Sequence, residues 1–160
     1  MSAPEPDDHV PTPGAVERIG TLLRCGPFAK GMDIRLVSSG EGRAVLEMEI
    51  TEPLTNNKGT CHGGALFTLA DTAFGVAAHY GGPVVTVGSD LQFIRPGRPG
   101  GSDLQFIRPG RPGDIVRASA LQISRTGRTG LFQLSISEKA AGVIAAGLFR
   151  GQWLSTDPDA

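Results

Sequence analysis

The chain has 160 residues with 16 acidic and 15 basic side chains, a formal net charge of −1. That length suits one domain with a substantial core, and the near-neutral charge excludes a dominant role on nucleic acid or a membrane surface. Two cysteines, Cys25 and Cys61, are too few for a disulfide framework, no signal peptide opens the chain, and residues 63–87 carry Asp71, His79 and several glycines where a membrane span would need a clean apolar run. A reducing cytoplasm is therefore the expected compartment.

Residues 1–14, rich in proline and acid, read as a disordered tail. Val16, Ile19, Leu22 and Leu23 fall at helical spacing, which predicts a short amphipathic helix over 15–25, ended by Gly26-Pro27. Met32, Ile34 and Leu36 alternate and predict a strand over 32–38, with a turn at Gly40-Glu41-Gly42. In 43–51, Leu46, Met48 and Ile50 alternate with Glu47 and Glu49, the signature of a half-buried antiparallel strand.

Residues 56–79 are the centre of the chain. A polar, glycine-rich entry leads into a helix that carries one charge, Asp71, between Gly63 and Ala78. A helix apolar nearly all round is buried, and a lone carboxylate there is costly unless it is paired or used. Phe67, Thr68, Phe74 and Gly75, its neighbours one turn away, offer no basic partner. The Gly63-Gly64 pair leaves bare N–H groups at the positive end of the helix, where an oxyanion or carbonyl oxygen would be stabilised. The combination points to acyl transfer or hydrolysis.

Strands follow at Val84–Val87, 114–124, 131–138 and 142–153, the first two of the last three joined by the turn 124–130, and residues 155–160 form a frayed tail. The sum is an α+β fold with one long central helix wrapped by about six antiparallel strands, expected as a meander over 15–154. One feature is abnormal: GSDLQFIRPGRPG at 88–100 recurs unchanged at 101–113. Repeat arrays need three or more copies and diverge, so this reads as a recent tandem duplication or an engineered insertion, with one superfluous copy. The first copy continues from Val84–Val87 and is expected to keep the strand, leaving the second to loop out at little entropic cost; the alternative is the second copy in the sheet, since Gly113-Asp114 leads into the next strand.

These residues resemble the hotdog-fold acyl-CoA thioesterases of the phenylacetic-acid-degradation (PaaI-like) group. The resemblance rests on Asn56, Thr60, His62-Gly63-Gly64 and Asp71 nine residues after the histidine. It continues through Arg95-Pro96-Gly97 or Arg108-Pro109-Gly110, then Gly113-Asp114 and the turn Gly127–Gly130. It implies a curved sheet cradling one helix, a homodimer that is often a dimer of dimers, and active sites at the subunit interface. The duplication departs from the family and falls just after the strand used in dimer contact.

By this resemblance Asp71 is the catalytic carboxylate, as general base or as nucleophile, and the Gly63 amide polarises the thioester carbonyl with Gly64 assisting. Without it, Asp71 could equally be tied to hydroxyl groups of a neighbouring strand. His62 either touches the reacting group or positions the loop. Asn56 (or Asn57 in another loop register) and Thr86 correspond to positions that place the thioester or the attacking water, while turn formation and strand packing are their plain alternatives. Lys58, Arg125, Gly127, Arg128 and Thr129 are candidates for coenzyme A, with Arg95 and Arg108 as further basic groups.

The expected reaction is hydrolysis of aryl-acetyl-CoA or medium-chain acyl-CoA, with coenzyme A as part of the substrate and no cofactor. No metal is expected, since His62 and Asp71 lie on opposite sides of a helix, and Cys61 has no base beside it. A non-catalytic acyl-CoA-binding module and a thioesterase impaired by its duplication are the alternatives. His62 and Asp71 on different sides of the helix imply a site completed by a second chain.

Overall fold

A computed structural model describes residues 13–93, 112–139 and 141–155. The predicted tails (1–14 and 155–160) fall almost entirely outside the described residues. So do Arg95, Arg108 and most of the second repeat copy.

Helix α1, Pro13–Cys25, buries Ala15 and Ile19 and lays Leu22 and Leu23 against the core. Gly26 ends it, but Pro27 then starts a single-turn helix, α2 (Pro27–Lys30), where the sequence suggested only a break. Proline suits a first helical position because its missing N–H has no partner there anyway. Strand β1 is Arg35–Gly40, later than the expected 32–38, because Asp33 takes φ 50° and the chain turns there first. Strand β2, Arg43–Glu49, follows the alternation read from sequence, with Leu46 and Met48 fully buried.

Helix α3 spans Gly63–His79. The remaining strands are β3 (Val84–Phe93), β4 (Ile115–Thr126), β5 (Thr129–Glu138) and β6 (Gly142–Trp153). The β4–β5 turn is tighter than predicted. Thr126 pairs with Thr129, leaving only Gly127 and Arg128 as the loop, with Gly127 at φ 57° where a β-carbon would be strained.

The six strands form one antiparallel sheet in the order β1-β2-β4-β5-β6-β3. This is not the expected meander. The chain leaves the sheet after β2, crosses its face as α3 and re-enters at the far edge, so β4 pairs with β2 and β3 pairs only with β6. The core lies between α3 and the sheet. Phe74 of α3 meets Phe132 edge to face at 5.0 Å and Phe149 at 5.7 Å, with Trp153 beyond Phe132. Each such ring contributes about 1.5–3 kcal/mol by leaving water.

The duplication leaves a visible division of labour. Gly88–Phe93 of the first copy form most of β3, pairing with Arg150 through Ala145 of β6. The last residue of the second copy, Gly113, donates its N–H to the Ile50 carbonyl at 2.8 Å, while Ile50 donates to Asp114 at 2.9 Å, which anchors the entry to β4. The start of one copy and the end of the other therefore touch the sheet. The expectation that the rest of the second copy loops out concerns residues outside those described.

Candidate active site

The helix carrying Asp71 is not buried all round. Its C-terminal half is, but Gly63, Gly64, Phe67, Thr68, Asp71 and Thr72 remain at least partly exposed. These positions recur every four residues, so they form one open stripe along the N-terminal half. The apolar count alone missed it because glycine, threonine and phenylalanine can each stand at an open position. Thr68 and Thr72 turn their hydroxyls back to the carbonyls of Gly64 and Thr68, at 2.9 and 2.7 Å.

Asp71 is half-buried on this stripe, and its one hydrogen bond of record among the described residues comes from the Thr86 hydroxyl of β3 at 3.2 Å. Burial pushes the Asp71 carboxyl above the ordinary aspartate value, and the Thr86 bond partly offsets this. Such a carboxylate is under-solvated and ready to take a proton.

Gly63 is the first residue of α3, and no acceptor for its N–H is found among the described residues. That N–H sits at the positive end of the helix. Gly64 differs: its N–H donates to His62 Nδ1 at 2.9 Å, which makes His62 the helix cap and occupies the second amide. The geometry therefore gives His62 a positioning role in this chain and leaves Gly63 as the open donor. Gly63 and Asp71 are eight residues apart on the helix, about 12 Å along its axis.

Asn56 is engaged in its own loop. Its Oδ1 accepts from the N–H groups of Lys58 at 2.9 Å and Thr60 at 3.3 Å, and its Nδ2 donates to the Thr60 hydroxyl at 2.9 Å. These bonds close the turn that delivers His62 to the helix start, and Asn57 and Lys58 stand exposed on it. Cys61 is buried beside this loop, and burial pushes its thiol up to about 11, far from a ready thiolate. His79 is spent at the other end of α3, its Nδ1 2.6 Å from the Gly75 carbonyl.

Of the basic candidates among the described residues, Lys58 lies by the helix start, while Arg125 and Arg128 lie toward that other end. The Arg125 guanidinium lies 4.0 Å from the centre of the Trp153 ring, and Trp153 Nε1 donates to the Ala78 carbonyl at 3.0 Å. Arg128 donates to the Leu154 carbonyl at 3.4 Å, and the Thr129 hydroxyl to Gln152 at 3.2 Å. Within one chain this hairpin is remote from Gly63, so the predicted site falls into two groups at opposite ends of α3.

Two residues on or beside the stripe escaped the sequence reading. Phe67 stands midway between Gly63 and Asp71, half-exposed, with its ring 5.5 Å from Phe149. Its spacing of four from both was the available signal. Phe93 ends β3 with its ring tip against Gly63. That contact is long-range and lies in the duplicated run, so no local pattern marks it. A cavity of about 400 Å³, lined by Ser89, Asp90, Leu148 and Arg150 among others, shares no residue with the stripe. Among the described residues no three His, Cys, Asp or Glu side chains come together as a metal site.

Residues 58–102 match the family model described as the thioesterase superfamily. The acyl-coenzyme A thioesterase PaaI of Escherichia coli is 35% identical over 126 residues, covering 78% of this chain and 79% of the relative. The chain belongs to the PaaI-like acyl-CoA thioesterases. Acyl-coenzyme A thioesterase 13 of Homo sapiens is 36% identical over 117 residues, 71% of this chain and 74% of that one. Among solved structures, the E. coli PaaI protein of the phenylacetic acid degradation operon superposes with a TM-score of 0.77 at 26% identity, covering 91% of this chain and 97% of its own. The hotdog fold of this PaaI-like thioesterase is thus established from both sequence and topology. No described helix is long and apolar enough to cross a membrane.

Proposed function

We propose that this thioesterase hydrolyses aryl-acetyl-CoA, or medium-chain acyl-CoA, to the free acid and coenzyme A. The Gly63 amide would polarise the thioester carbonyl and Asp71 would act as general base on water or as nucleophile. The observation that carries the reading is the desolvated Asp71 carboxyl on the same open stripe as an unpartnered helix-terminal N–H. As base, Asp71 takes a proton from water while the hydroxide adds to the carbonyl, and the tetrahedral oxyanion then expels the CoA thiolate. As nucleophile, it adds to the carbonyl and displaces the CoA thiolate to form a mixed anhydride, which water opens to the free acid and the regenerated carboxylate. CoA is part of the substrate, and no cofactor enters either route.

About 12 Å of helix axis separates the two residues, too long a span for one chain to serve a single carbonyl with both. The edge strand supplies an economical solution. Asp71 is tied to Thr86 near the start of β3, and Gly63 meets Phe93 at its end. Two β3 edges paired antiparallel about the strand centre would set Thr86 of one beside Leu91 of the other. Asp71 would then approach Gly63 of the partner subunit. A ten-residue edge with Val85 and Val87 exposed also needs a cover, since open edges pair with other chains. We therefore propose a homodimer through β3, within a dimer of dimers. The same pairing would carry the Arg125–Arg128 hairpin, beside the Val84 end of the strand, toward the partner's Gly63. There its guanidinium groups and Lys58 would meet the CoA phosphates. The buried free thiol of Cys61 suits the reducing cytoplasm as the compartment.

The test is release of free CoA from phenylacetyl-CoA by wild type and Asp71→Asn. Full kcat/KM in the variant would overturn the role given to Asp71, and a wild type that binds the thioester without cleaving it would favour the binding-module alternative.

A further inference from the structure

The aromatic rings flanking the open stripe have no role in the chemistry proposed so far. Phe93 leaves 53% of its surface exposed although it ends a strand directly over α3. Its ring points tip-first at Gly63: a β-carbon placed on that residue would lie 3.1 Å from Phe93 Cζ and 3.5 Å from Cε2. Glycine there leaves room for the close approach of an aromatic ring. Phe67, 38% exposed, lies one turn further along, braced by Phe149. Two rings with bare apolar faces therefore flank the one open amide of the helix start. Apolar surface left in water next to a polar anchor is the makeup of a ligand subsite.

We infer that Phe93, with Phe67 behind it, determines acyl specificity by forming the wall that receives the group attached to the thioester carbonyl. This rests on Gly63 as the carbonyl anchor. With the oxygen held at the Gly63 N–H, the first carbons of the acyl chain must run beside whatever touches the Gly63 α-carbon, and that is the Phe93 ring. An acetyl group is too short to use the ring face. A planar aryl group one or two carbons from the carbonyl covers it and gains an aromatic pair beyond simple area burial. The substrate class favoured is an acyl thioester with a flat apolar group close to the carbonyl.

The experiment compares kcat/KM for phenylacetyl-CoA and acetyl-CoA, followed by thiol release, in wild type, Phe93→Ala and Phe93→Leu. Because the second copy carries an identical Phe106, a Phe93→Ala/Phe106→Ala double variant is included. Circular dichroism and solution mass report whether each variant keeps its fold and assembly, and Phe93→Leu retains apolar bulk if alanine does not. The expected result is a wild-type preference for the aryl thioester that falls about tenfold in Phe93→Ala and less in Phe93→Leu, with the fold retained. An aryl-to-acetyl ratio unchanged in the single variant overturns the assignment to Phe93, whether or not the double variant changes it. A wild type with no aryl preference overturns it as well. If wild type cleaves neither thioester, it is the hydrolase reading that fails, and this is visible before any variant is compared.

Discussion

Thr86 and Asp71 are joined by a 3.2 Å hydrogen bond that ties the open stripe of α3 to the edge strand β3. The bond stabilises the ionised carboxyl against burial, which acts the other way. Chemistry and sheet edge are thereby held in register with each other.

Asp71→Asn is expected to lower kcat/KM for phenylacetyl-CoA by at least about 10²-fold, as loss of a general base does. The same change should raise stability at neutral pH. A carboxyl whose folded pKa is raised contributes stability below its unfolded pKa, near 3.9, and loses it as pH rises through the folded value. Urea unfolding at pH 7 and pH 3.5 should therefore show the Asn variant gaining on wild type only at the higher pH.

The Thr86 hydroxyl favours the ionised Asp71 carboxyl by donating a hydrogen bond to it, and so lowers its pKa. In Thr86→Val the acid limb of the kcat/KM profile should move to higher pH. At a pH below that limb, Thr86→Val should be less active than wild type, while the two converge above it. A limb that stays in place would show that another group sets it.

The proposed sharing of the site between chains predicts complementation. Gly63→Pro deletes the N–H at a first helical position, where proline is otherwise tolerated, and its ring displaces the exposed Phe93 side chain that packs there. Alone, it and Asp71→Asn should each be inactive. Mixed at equal amounts after unfolding and refolding, half the dimers are heterodimers with one intact site of two, so about one quarter of wild-type activity returns. No recovery would place the whole site within one chain.

Deleting residues 101–113 yields the same polypeptide as deleting 88–100, because the copies are identical. The connection from β3 to β4, residues 94–114, shortens from 21 residues to 8 while both sheet anchors keep their sequence. Loop-closure entropy alone predicts a gain of about 1 kcal/mol, measurable by denaturant unfolding. Unchanged assembly and higher stability are expected.

Gly147 faces β3 so closely that a β-carbon would overlap the Asp90 carbonyl. Gly147→Ala should cost about 1–3 kcal/mol or more and push β3 from β6, reducing activity through Thr86 although residue 147 lies outside the site. Melting temperature and kcat/KM should fall together.

The helix, its cap region and five of the strands were legible because each rests on local periodicity: Leu46 and Met48 alternate, and the glycine pair announces α3. The sheet order was not, since nothing local tells whether β3 returns beside β2 or crosses to the far edge. Asp71 could be singled out as a lone charge among apolar neighbours. Its partner Thr86 stayed one of two readings until the strand was placed. His62 as a cap depends on which ring nitrogen meets which amide, and the Phe93 contact on two elements that meet only in the fold.

The indole of Trp153 binds the Ala78 carbonyl while its face carries Arg125 and its edge closes on Gly130. The hairpin with Arg125 and Arg128 is thereby bolted to the same helix that bears Asp71. A loop recruited to an incoming nucleotide loses its conformational freedom on binding and weakens the complex by that amount. Here the freedom is lost when the chain folds. Damage to Trp153 should therefore appear as weaker ligand capture even in molecules whose catalytic groups remain in place.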